Sequence, residues 1–83
     1  MNPKDTFKDN SSHSIEWGEA TWDNSEFSIR NRYDNPKTGK FNYAGSAEIP
    51  WEDFKMMIEQ SITRGHFTEP ELIEILKEIA KKL

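Results

Sequence analysis

Eighty-three residues make one domain and leave no room for a second. Only 34% of them are hydrophobic while 12% are aromatic, so a few large rings must supply much of any core. The absence of cysteine excludes disulfide staples and thiolate metal or nucleophile chemistry, and a formal net charge of −4 argues against a generic nucleic-acid binder.

Residues 1–12 are polar, balanced in charge and aperiodic, with Phe7 as their one aromatic group. Residues 1–13 are therefore expected to form a flexible arm, and residues 14–83 a single domain. No apolar run is long enough to span a bilayer, and residues 1–14 lack the apolar centre of a secretory signal. A cytoplasmic location is expected.

Residues 14–22 alternate as a strand does, with Ile15 and Trp17 on one face and Glu16 and Gly18 on the other. Asp23, Asn24 and Ser25 favour local side-chain-to-backbone bonds and predict a turn. In the next strand Phe27, Ile29 and Tyr33 share one face, and Glu26, Ser28, Arg30 and Arg32 the other. A loop over residues 34–39, holding Pro36 and Gly39, leads to a third predicted strand. There Phe41, Tyr43, Ala47 and Ile49 alternate with Lys40, Asn42, Ala44, Ser46 and Glu48, while Gly45 suggests a bulge.

The period then changes. Trp51, Phe54, Ile58 and Ile62 recur at helical spacing, Glu52 and Asp53 sit at the positive end of the helix dipole, and Gly65 supplies a left-handed stop. Thr68 and Glu71 match a capping box, flanked by Phe67 and Leu72 at staple positions. Leu72, Ile75, Leu76, Ile79 and Leu83 form the stripe of a second helix, widened by Ile73 and Ala80. The expected fold is α+β: a three-stranded antiparallel sheet covered on one face by two C-terminal helices that form an αα-hairpin.

Nothing in the sequence assembles a catalytic constellation. His13 and His66 lie apart, outside any spacing that would set two ligands on one helical face. Glu52 with Asp53, and Glu69, Glu71, Glu74 and Glu78, read as helix-end electrostatics and a solvated face. The four glycines are scattered singly, so no loop is built to cradle phosphate. No enzyme activity, metal or cofactor is expected.

Two binding surfaces remain. On the polar sheet face Arg30, Arg32, Lys40 and Asn42 are expected together, with Trp22 at an edge, an arrangement able to contact phosphates and stack a base. The competing reading pairs the arginines across strands with Glu16, Glu26 or Glu48. The second surface is protein-facing. Trp17, Trp22 and Trp51 exceed what so small a core can bury, Met56 shares adjoining helix faces with Met57, and Ile73 and Ile75 broaden the last helix's stripe.

The run Phe27-Ser28-Ile29-Arg30-Asn31-Arg32-Tyr33, a Pro/Gly turn, and then Gly45-Ser46-Ala47-Glu48-Ile49-Pro50-Trp51-Glu52-Asp53-Phe54 resembles transcriptional coactivators of the positive-cofactor-four type. Ile29, Arg30, Tyr33, Ile49 and Phe54 carry the likeness, over roughly residues 27–62. The resemblance implies dimerisation and single-stranded DNA binding on the sheet. The chain departs from that pattern in having Ser46-Ala47-Glu48 where the family has Lys-Gly, in its second helix, and in lacking a basic arm. The primary expectation is a small, acidic, non-enzymatic interaction module acting by protein–protein binding, a form common among bacterial or phage accessory and regulatory proteins. Homodimerisation is a further expectation, and single-stranded nucleic-acid binding is the alternative.

Overall fold

Four strands and two helices follow one another in the computed structural model, which describes residues 1–83: β1 (Asn2–Lys8), β2 (His13–Glu19), β3 (Phe27–Tyr33), β4 (Glu48–Pro50), α1 (Trp51–Thr63) and α2 (Glu69–Ala80). The strands form one antiparallel sheet in the order β1-β2-β3-β4. The architecture is α+β with two helices C-terminal to the sheet, as the change of period predicts. The sheet has four strands rather than the expected three.

The extra strand is the N-terminal segment expected to be an arm. Its polar composition gives no sign of burial, and all seven residues of β1 are indeed exposed. What holds it is backbone pairing with β2, from Asn2 opposite Glu19 to Lys8 opposite Ser14, with a register shift between Pro3 and Asp5. Pro3, Lys4 and Lys8 blunt the free edge against further pairing. Gly18 makes the close approach at the shift: a β-carbon there would lie 2.8 Å from the Pro3 Cα and closer still to the Asn2 carbonyl oxygen.

The β2–β3 turn forms where expected, with the Asp23 carboxylate accepting from the Ser25 amide at 2.9 Å and the Ser25 hydroxyl at 2.7 Å. The third predicted strand is mostly not a strand. Only residues 48–50 pair with β3, and Phe41 makes an isolated bridge to Asp34. Between them the side chains capture the backbone: Asn42 Oδ1 accepts from the Gly45 amide at 3.0 Å, and Ser46 Oγ accepts from the Tyr33 amide at 2.9 Å. Asn, Gly and Ser offer the chain these local alternatives to a ladder, and alternation of apolar residues does not register them.

Helix α1 packs on β3 and β4. Trp51 stacks edge-on against Phe27 and lies 5.3 Å from Phe54, centroid to centroid. The helix stops at Gly65, whose φ of 73° is the left-handed cap. The capping box of α2 is complete: the Glu71 amide donates to Thr68 Oγ1 at 3.3 Å and the Thr68 amide to Glu71 Oε1 at 2.8 Å. The expected cover of the sheet by both helices is not found. The substantial packing is between neighbouring strands and between α1 and β3–β4, and α2 takes no such part in it.

The Gly18→Ala variant should lose about 1–3 kcal/mol of stability through displacement of β1, read from urea unfolding. An unchanged midpoint would show that β1 is not seated on Gly18.

Candidate functional site

The two faces of the sheet have exchanged the roles their composition suggests. Register places Glu16 opposite Arg30 and Arg30 opposite Glu48, so three charges line up across β2, β3 and β4. This polar face is the buried one. Glu16 is 5% exposed, Arg30 8% and Ser28 not at all. Arg30 donates to Glu16 Oε1 through Nε at 2.9 Å and a terminal nitrogen at 2.6 Å. Arg32 lies 3.5 Å from the other Glu16 oxygen and donates to Asp34 Oδ1 at 3.1 Å.

The cover is Phe41. Its ring lies 4.8 Å from the Arg30 guanidinium carbon and 4.5 Å from that of Arg32, so one aromatic closes over both cations. The alternation of residues 40–49 predicts Phe41 on the apolar face; the turns of residues 35–47 bring it to the polar one. No buried side-chain polar atom on this face or elsewhere lacks a partner. A charge pair so enclosed adds little net stability, but removing one member strands the other.

Glu48 closes the same face at its far end. It accepts from the Thr21 amide at 2.8 Å, the Thr21 hydroxyl at 2.7 Å and the Ser28 hydroxyl at 3.0 Å. Burial pushes its carboxyl pKa up, but the Thr21 and Ser28 hydrogen bonds more than offset this and hold it below the ordinary value. On the other face, at the start of β2, His13 stacks on Tyr33 at 4.7 Å between ring centroids. One His13 ring nitrogen lies 2.8 Å from an Asp9 carboxylate oxygen and the other 2.6 Å from Asn31 Oδ1, and these two bonds raise its pKa.

The apolar face is open. Trp17, Ile29 and Ile49 align across β2, β3 and β4, with Ile15 beside them on β2. Trp51 and Phe54 of α1 form the far wall, leaving a groove of about 440 Å³ whose only polar lining residue is Asn31. Ile29 and Ala20 are the only buried hydrophobic residues in the chain. Helix α2 would have to cover the groove, and it does not.

Of the residues expected to form a nucleic-acid platform, Arg30 and Arg32 lie together under Phe41, Lys40 and Asn42 flank Phe41 along the chain, and Trp22 lies apart. Arg30 and Arg32 are engaged by Glu16, Asp34 and Phe41, as the cross-strand reading anticipates. Lys40 and Asn42 lie exposed on the loop after β3. Trp22 lies in the β2–β3 turn, the length of a seven-residue strand away (roughly 23 Å), where its indole donates to Glu26 at 2.8 Å. Of the protein-facing candidates, Trp22, Met56 and Ile73 are exposed and Ile75 is half-buried, on a turn and two helices rather than one surface. The groove itself, centred on Trp17, is not marked as a site by the sequence, because alternation identifies an apolar face without telling whether anything covers it.

No group of three or more His, Asp or Glu side chains is placed to share a metal ion, and no helix is long and apolar enough to cross a membrane. Comparison with protein families, curated proteins and solved structures finds no match to this chain.

Glu16→Ala strands Arg30 beneath Phe41 and should cost about 3 kcal/mol in urea unfolding; a loss no larger than that of an exposed carboxylate would contradict the buried pair. Glu48 adds a pH dependence. Its folded pKa lies below the ordinary 4.5, so its contribution is complete above pH 4.5 and is lost as pH falls through the depressed value. Thermal melts should therefore fall on acidification below pH 4.5, and Glu48→Gln should flatten that limb. An identical acid limb in the variant would show that Glu48 is not its source.

Proposed function

We infer that the protein is a non-enzymatic interaction module that acts by binding another protein through the open apolar face of its sheet. The observation that carries this reading is the groove of Ile15, Trp17, Ile29, Ile49, Trp51 and Phe54, which is lined like a core and lies open to solvent. Apolar area of this kind is stabilised by leaving water, and tryptophans in a pocket are the side chains that most often anchor a protein interface. Trp17 and Trp51 hold those positions, one from the sheet and one from the helix. Met56 and Met57, both exposed on α1 beside Ile49, extend the apolar surface along the helix.

The single-stranded nucleic-acid reading is left with fewer groups. Its arginines already have partners, and the acidic total opposes the counterion release that drives such binding. Lys40 and Asn42 remain as its exposed polar groups.

Affinity capture with the wild-type chain as bait should retain a protein, this chain itself included, that an Ile15→Lys variant with unchanged circular dichroism fails to retain. Equal capture by both would overturn the reading. Titration of fluorescent single-stranded DNA and RNA at low salt should give no saturable binding, whereas binding that weakens steeply with salt and with Lys40→Ala would favour nucleic acid instead.

A further inference from the structure

The chain carries two unpartnered apolar features of opposite shape. One is the concave groove between the sheet and the first turns of α1. The other is α2, a convex stripe of Leu72, Ile75, Leu76 and Ile79, on which Leu76 is 63% and Ile79 48% exposed. A twelve-residue helix is about 18 Å long, close to the roughly 23 Å of the strands that floor the groove.

The corner between the helices keeps α2 from closing its own groove. Gly65 holds a left-handed cap, with its amide donating to the Ile62 carbonyl at 3.0 Å and the His66 amide to the Ser61 carbonyl at 3.0 Å. Three residues on, the Thr68–Glu71 capping box fixes where α2 begins. Both sides of the corner are thus set by local bonds, and the second helix they place makes no substantial packing contact with the sheet.

The surface area shows how much is uncovered. The chain exposes 6561 Å², whereas a folded monomer of 9.7 kDa exposes about 5,100 Å² by the usual mass scaling. Its radius of gyration is 14.8 Å, against roughly 12 Å for a compact domain of this length. The excess, roughly 1,400 Å², is what each subunit of an obligate homodimer buries.

We propose that the occupant of the groove is α2 of a second copy of this chain, inserted reciprocally so that two copies close a two-fold dimer. This rests on the reading of the apolar face as a protein-binding surface and names its partner. One chain supplies one helix and one groove, so a reciprocal exchange satisfies all four features at two subunits and leaves nothing to propagate a filament. In the dimer Trp17 and Trp51 become core residues under the partner's leucines and isoleucines, and each copy gains the hydrophobic interior it lacks alone.

Sedimentation or light scattering across micromolar concentrations tests this directly. The wild-type chain should have twice its 9.7 kDa mass. The double variant Leu76→Lys/Ile79→Lys, altered at positions exposed in the single chain, should have half the wild-type mass and bind an apolar dye several-fold more strongly. A second measurement, independent of whether that variant folds without its partner, uses the absence of native cysteine. Ile79→Cys chains mixed with Asn31→Cys chains should join through a short thiol crosslinker. A wild-type dimer without that mixed product, or a folded double variant that stays dimeric, overturns the exchange. A wild-type monomer overturns it as well, and the dye separates two cases: strong binding leaves the open face to another partner, and no binding shows the face closed, so the interaction reading fails too.

Discussion

The Glu16–Arg30 ion pair beneath Phe41 is the constraint from which the rest of the structure follows. Two charges placed between strands of so small a sheet must be enclosed or hydrated, and in this chain they are enclosed. Enclosing them takes residues 34–47, which fold across the polar face with Phe41 over both guanidinium groups. That segment is then lost to the ladder. Strand β4 shrinks to three residues, and α1 begins at Trp51, packed at the β3–β4 side of the sheet. On the opposite face Trp51 and Phe54 wall the groove, which stays open.

The burial that stabilises an ordinary small domain is largely missing from the single chain. Its fully buried side chain is Ser28, and its buried set holds more polar residues than hydrophobic ones. Networks of this kind specify register well but contribute little net free energy, because hydrogen bonds and charge pairs mostly replace those already made with water. The hydrophobic term must come from the groove and from the stripe of α2. A binding role for these surfaces and the stability of the protein are, on this view, the same physical requirement.

Much of the fold is legible in the sequence, and the features that are not share a cause. Helix α2 is readable because Thr68, Glu71, Leu72 and Gly65 act through local geometry that no tertiary contact overrides. The turn at Asp23 and the strand pair Ile15–Trp17 with Phe27–Ile29 are readable for the same reason. The pairing of Arg30 with Glu16 is legible as the competing interpretation of the polar face. Strand β1 is not, since its stability comes from backbone bonds to β2 and from a close approach that only Gly18 permits. Alternation puts Phe41 on the wrong face because period-two counting cannot see Asn42 and Ser46 capturing the backbone. The open groove is hidden because an apolar stripe reads alike whether or not its own chain covers it.

The face on which Phe41 lies is the most direct point of attack. Nuclear Overhauser contacts from its ring protons should reach the side chains of Arg30 and Arg32, and the Arg30 Nε–H, donated to Glu16 at 2.9 Å, should exchange slowly with solvent. Contacts from Phe41 to Ile29 and Ile49 instead, with Arg30 exchanging freely, would mean that the sheet buries its apolar face in the ordinary way and that no enclosed ion pair organises the fold.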